Sequence, residues 1–84
     1  MNYTVEFFNE KFRIWETLEE ISNIEADNAE EAVEEAKSWW IENSADAEIA
    51  NEEVSDMIWR AAKIEYDEDG YILPYNWEVI ECEK

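Results

Sequence analysis

Twenty-four Asp and Glu side chains against six Lys and Arg leave this 84-residue chain with a formal charge of −18. That imbalance constrains the fold more than any other feature. An ionised carboxylate is costly to bury unless it is paired, and there is one cation for every four acids. Most of the acids must therefore face water, and the core must be built from what remains. What remains is sufficient, because 46% of the residues are hydrophobic and 14% aromatic, with five Trp among them. Disordered acidic segments lack such residues. The length allows one domain, expected to span residues 1–84.

The same composition excludes whole classes of function. A nucleic-acid binder of the usual kind needs a basic patch to displace counterions from phosphates, and this chain has the opposite sign. Without a single His there is no imidazole base and no imidazole metal ligand. One cysteine, Cys82, allows neither an intramolecular disulfide nor a Cys-based zinc site. A lone thiol suits a reducing compartment. The opening Met1-Asn2-Tyr3-Thr4-Val5-Glu6 has neither the basic nor the apolar region of a signal peptide. No stretch approaches the roughly 20 apolar residues that span a bilayer, and the acidity repels anionic lipid. The expected location is the cytoplasm.

Periodicity divides the chain into six elements. Tyr3, Val5 and Phe7 alternate onto one face, as in a strand. Asn9-Glu10-Lys11 reads as a short hairpin connection, and Phe12 to Trp15 resumes a strand. Ile21 to Ala26 is strand-like as well, so the segment from 16 to 20 is taken as part of a long, bulged second strand. Asp27 with Glu30 three residues on forms a capping box. Ala29, Ala32, Val33, Ala36 and Trp40 then recur on one helical face, which predicts a helix over 28–43. After a break at Ser44-Ala45-Asp46, the spacing of Ala50, Val54, Met57, Ile58 and Ala61 predicts a second, shorter helix. Near Arg60 the period changes, and Ala62, Ile64 and Tyr66 alternate. Asp67-Glu68-Asp69-Gly70 is a turn, with the single Gly at a positive-φ position. Tyr71 to Leu73 and Trp77 to Cys82 complete a hairpin that Pro74 interrupts. The expected architecture is α+β: a small antiparallel sheet in the order β-β-α-α-β-β with helices packed on one face.

Catalysis finds no specific signal. Two carboxylates can act as acid and base on a glycosidic bond, but among so many any pair can be nominated. One Gly allows no phosphate-binding loop. The chain is expected not to be an enzyme and to carry no cofactor. Glu65, Asp67, Asp69 and Gly70 have a calcium-loop flavour, because hard cations prefer clustered carboxylates. Yet Gly70 is fourth from Asp67 where that loop needs it sixth, and Glu78 at the twelfth position follows a strand. An acidic hairpin turn is the better reading, and no metal is expected. The acids comprise 19 Glu and 5 Asp, whereas a salt-adapted surface draws more heavily on Asp.

The charge pattern is the more informative signal. Residues four apart on a helix rise about 6 Å, so Glu31, Glu35 and Glu42 form a row with Glu30 and Glu34 beside it. Carboxylates can stand in for phosphates in bidentate Arg contacts. Like charges four apart also cost about 0.2–0.5 kcal/mol per pair, and a small domain needs a net charge of only about 2–8 for solubility. Glu52, Glu53 and Asp56 on the second helix, and Glu65, Asp67, Glu68 and Asp69 at the hairpin tip, are expected to extend the same partner-binding surface. Of the tryptophans, Trp40 lies in the core stripe and Trp39 at its margin. Trp15, Trp59 and Trp77 are expected in the sheet core or at its rim.

Tyr3-Thr4-Val5-Glu6, a second strand ending Ile24-Glu25-Ala26-Asp27, and Ala29-Glu30-Glu31-Ala32 together resemble the small phage and mobile-element proteins of the DpnD/PcfM type. That likeness covers about residues 3–43 and implies no activity. The chain as a whole is similar in character to phage-encoded anti-CRISPR and anti-restriction proteins that mimic DNA. This second likeness rests on size and charge, not on a motif, and transfers no functional residue. It implies an inhibitor, monomeric or dimeric, that occupies the basic DNA channel of a CRISPR or restriction nuclease in a bacterial host, with a CRISPR effector as first choice. The rival expectation is a non-enzymatic interaction module of a phage or mobile element. In it the sheet or an aromatic patch binds the partner and the charge serves solubility.

Overall fold

The computed structural model describes residues 1–80. Five strands and two helices follow in the order β1 (Asn2–Asn9), β2 (Ile14–Glu16), β3 (Ile24–Glu25), α1 (Ala29–Glu42), α2 (Ala47–Asp56), β4 (Trp59–Lys63) and β5 (Glu78–Ile80). The sheet is antiparallel throughout, in the order β2-β1-β4-β5, with β3 also on β1. The expected α+β architecture is present, and the helices lie on one face.

The long strand β1 is the centre of the sheet. Its central five residues pair with β4 on one side, Tyr3 opposite Lys63 through to Phe7 opposite Trp59. On its other side β2 holds the C-terminal half and β3 the N-terminal half. The expected single bulged strand is therefore two strands on one edge. Phe7 faces Glu16 and Asn2 faces Glu25, so five steps along β1 match nine along its partner. The surplus is a single 3-10 turn, Glu19–Ile21, which turns Ile21 into the core while Glu19 and Glu20 stay in water. Thr17 ties this excursion to the sheet by donating its hydroxyl to the Val5 carbonyl at 2.7 Å. An extended strand would have given Leu18 and Ile21, three apart, opposite faces of the sheet. The 3-10 turn lets both pack against the core.

Two loop boundaries also differ from the sequence expectation. Asn9 pairs with Ile14, so the first hairpin loop spans residues 10–13 and Phe12 sits in it, exposed. Arg13 closes the loop with φ 56°. The second helix stops at Asp56, and β4 begins at Trp59, not at Ala62. Met57 and Ile58 fit a helical spacing, but Met57 is extended and Ile58 accepts a hydrogen bond from the Phe8 amide at 2.9 Å. Pairing with β1 outweighs local helix preference, because it satisfies alternate backbone groups of β4 in a ladder and sets Trp59 opposite Phe7. The last hairpin is short, with one bridge between Tyr66 and Ile72. After it the chain returns to β4 as β5. Cys82, expected at the end of that strand, lies outside the described residues.

The core fills the space between the sheet and α1. Tyr3, Val5 and Phe7 point into it from β1, and Trp59 and Ala61 from β4. Ala29, Ala32, Val33 and Ala36 face them from α1, and three of these four are Ala, so helix and sheet approach closely. The large members cluster at one end. Trp40 meets Phe7 edge-on at 5.2 Å and Trp59 at 6.2 Å, and Phe7 meets Trp59 at 5.8 Å. Trp59 is fully buried, and its indole N–H donates to the Val54 carbonyl of α2. Truncating such a residue to Ala costs about 3–5 kcal/mol. A chain of this size has roughly 4–13 kcal/mol in total.

The N-cap of α1 lies one position later than the expected capping box. Asn28, not Asp27, is the N-cap of α1, and its Oδ1 accepts from the Glu31 amide at 2.8 Å. Asp46 caps α2 by accepting from the Glu48 and Ile49 amides. Asn28→Ala should lower the unfolding free energy by about 1 kcal/mol. Asp27→Ala should change it by less than half as much, and denaturant titration of the two variants measures the difference.

Candidate functional site

All twelve carboxylates expected to form a partner surface are exposed, but they form three separate groups. Glu30, Glu31, Glu34, Glu35 and Glu42 line the solvent side of α1, opposite its Ala and Val stripe. Lys37, the only cation of that helix, lies 3.9 Å from Glu34. Glu52, Glu53 and Asp56 lie on α2. Glu53 and Asp56 border an open groove of about 380 Å³ whose floor includes Phe7, Phe8 and Met57, and Glu10 joins them on the rim. That position of Glu10 was not legible in the sequence, since it depends on how the β1–β2 loop lies against α2. Glu65, Asp67, Glu68 and Asp69 sit at the tip of the last hairpin.

The tip carboxylates do not act alike. Asp67 Oδ1 accepts from the amides of Asp69 and Tyr71, both at 2.9 Å. Gly70, with φ 87°, donates its amide to the Asp67 carbonyl. Asp67 therefore shapes the turn, as Asx residues do, while Glu65, Glu68 and Asp69 are exposed to water. Among the described residues no three His, Cys, Asp or Glu converge as metal ligands.

The placement of charge runs against helix stability at two ends. Acids in the first turn of a helix interact well with its dipole, and Glu30, Glu31 and Glu48 are so placed. The last turns of α1 and α2 contain no basic residue, while Glu42, Glu53 and Asp56 stand there. Each such acid costs about 0.3–1 kcal/mol where a Lys would help.

The helix-free face of the sheet carries a second candidate surface. Arg60 lies opposite Glu6 on β1, and Nε donates to Glu6 Oε1 at 2.9 Å while Nη2 donates to the same oxygen. The guanidinium is flanked by two indoles, Trp15 at 4.3 Å and Trp77 at 4.1 Å. Phe8 meets Trp15 edge-on at 5.3 Å, and Tyr75 meets Trp77 at the same distance. The five side chains Phe8, Trp15, Arg60, Trp77 and Tyr75 form one continuous ribbon across the sheet. Strand alternation requires Trp59 and Arg60 to face opposite ways, and of Trp15, Trp59 and Trp77 only Trp59 enters the core. The signal for the ribbon was present as alternation of Glu6 with Val5 and Phe7. The partner of Glu6 became visible only with the β1–β4 register.

No known protein family matches the chain, and neither a curated protein nor a solved structure does so. No helix among the described residues is long and apolar enough to cross a membrane.

Arg60→Lys keeps the charge but not the planar group that stacks between two indoles. It should cost about 1 kcal/mol and alter tryptophan fluorescence in the folded state. Arg60→Ala also leaves the half-buried Glu6 without its cation and should cost about 2–3 kcal/mol. A double-mutant cycle with Glu6→Gln separates the ion pair from the stacking.

Proposed function

We propose that this chain is an acidic protein mimic of a nucleic-acid backbone. It occupies the basic DNA-binding channel of a host defence nuclease in the bacterial cytoplasm, a CRISPR effector first and a restriction nuclease second, and so excludes target DNA. The reading assigns no catalytic step and no cofactor to the chain. The observation that carries it is charge density. The molecule measures 45 × 25 × 22 Å and carries a net −18, about one charge per 2.5 Å of length, against about one per 1.7 Å along duplex DNA. The helix C-termini add support, since acids there oppose stability and exceed what solubility needs. Long-range attraction toward a basic channel would speed docking.

A second reading has its own observation. The ribbon through Trp15, Arg60 and Trp77 lies on a sheet face that no helix covers, which favours an interaction module whose partner meets aromatic surface. The two differ in salt dependence. A mimic should lose affinity for its target steeply between about 0.05 M and 0.5 M salt, because screening weakens charge pairing. Aromatic docking should hold nearly level.

The direct experiment is competition on purified guide-loaded CRISPR effectors and on restriction nucleases, with labelled target DNA as the displaced ligand. Protein and DNA should be mutually exclusive on the target. Replacing Glu31, Glu35 and Glu42 together by Gln keeps helix propensity nearly level and relieves repulsion along α1, so the fold should survive or gain slightly. Inhibition should fall at least tenfold, about 1.4 kcal/mol, because amides lose charge-assisted pairing with Arg or Lys. A folded triple variant that inhibits as well as the parent removes α1 from the contact surface.

A further inference from the structure

Among the described residues, exposed large apolar side chains recur in one hairpin, while Phe12, Met1 and Ile49 are exposed singly elsewhere. Tyr66 is 61% exposed, Tyr71 72%, Ile72 53% and Leu73 40%, and none of them belongs to the core or packs against it. Large apolar residues left substantially exposed mark interaction sites when they are contiguous. Tyr66 and Ile72 are partners across the hairpin and share one face, while Tyr71 and Leu73 alternate onto the other, so apolar side chains cover both sides of the arm.

The hairpin is held in shape in spite of that exposure. Asp67 donates its amide to the Tyr71 carbonyl at 2.9 Å, and Leu73 donates to Glu65 at 2.8 Å. At the tip, the Asp67 carboxylate holds the Asp69 and Tyr71 amides. At the base, Tyr75 rests on Trp77, which is stacked on Arg60 of the sheet. A segment fixed before it meets a partner loses less conformational entropy on binding, and Tyr is a preferred anchor at interfaces.

Charge selects the occupant. Residues 64–80 contain Glu65, Asp67, Glu68, Asp69 and Glu78 and no Lys or Arg. A second copy of the chain would set this acidic arm against another molecule of charge −18, which opposes self-association. We propose that the 65–73 hairpin is a docking arm. It inserts Tyr71, Ile72 and Leu73 into an apolar cleft rimmed by Lys or Arg on a partner protein, while Glu65, Glu68 and Asp69 meet the rim. The inference rests on the mimic reading only for the sign of the partner's charge, and it adds a contact that backbone mimicry does not supply.

The test uses the intact chain and random peptides displayed on phage, selected at about 0.15 M salt. Enriched peptides are synthesised and titrated against the parent, against Tyr71→Ser, and against a triple variant with Ser at 71, 72 and 73. Because all three side chains are exposed, the variants should match the parent in circular dichroism and thermal unfolding. Enriched peptides should combine Lys or Arg with bulky apolar residues. They should bind the triple variant about tenfold more weakly or worse, with Tyr71→Ser intermediate. Peptides that bind parent and triple variant alike overturn the proposal, as do basic peptides free of apolar residues or a selection that enriches nothing. Sedimentation showing a dimer of the parent that the triple variant cannot form assigns the arm to a second copy and overturns it too. Failure of DNA competition on the nucleases would remove the mimic reading and leave a positive peptide result standing, so the two can fail separately.

Discussion

Two adjacent residues on β4 organise both sides of this molecule. Trp59 turns inward and closes an aromatic triad with Phe7 and Trp40, which joins sheet to α1, and its indole reaches back to α2. Arg60 turns outward and joins β1, β2 and the chain entering β5 through Glu6, Trp15 and Trp77. Neither arrangement exists without the pairing of β4 with β1, which sets Trp59 opposite Phe7 and Arg60 opposite Glu6. A slip of one residue would exchange the two faces, burying a guanidinium and exposing an indole. The register is thus enforced from both sides of the sheet at once.

The acid load fits around this frame without entering it. Glu6 is the carboxylate drawn into a half-buried ion pair, and Arg60 answers it. The three groups of exposed acids occupy the solvent side of α1, the exposed positions of α2 beside the Phe7–Met57 groove, and the tip of the hairpin. Repulsion within α1 is modest, because two i,i+4 Glu pairs, 30 with 34 and 31 with 35, cost about 1 kcal/mol or less together. Burial of the Ala, Val and Trp stripe outweighs it. The fold therefore tolerates its charge, and that tolerance leaves the surface available for electrostatic recognition.

The acidic and aromatic surfaces lie on different sides of the sheet. Helical acids belong to the covered side and the Trp–Arg–Trp ribbon to the open side, while the last hairpin carries both chemistries in one segment. Apolar and acidic groups meet there within nine residues, on a backbone set by Asp67 and Gly70. In the proposed docking, charge would act at long range and the exposed Tyr, Ile and Leu at contact.

Local signals suffice where one residue's chemistry decides the outcome. The Ala and Val stripe of α1, the Asp46 break before α2, the alternation of Tyr3, Val5 and Phe7, and the Gly70 turn all depend on spacing or on backbone freedom that the chain carries in itself. So does the exposure of the acids, because the solvation cost of a carboxylate does not wait for a fold. Sequence and structure part where two local patterns are both acceptable. Met57 and Ile58 fit a helix and a strand alike, Asp27 and Asn28 are both competent caps, and residues 16–21 satisfied a strand until Leu18 and Ile21 had to reach one core. The grouping of Trp15 and Trp77 around Arg60, and the separation of the acids into three patches, came from tertiary structure alone. Both depend on which residues face one another across strands far apart in sequence, and no spacing along a single segment carries that information.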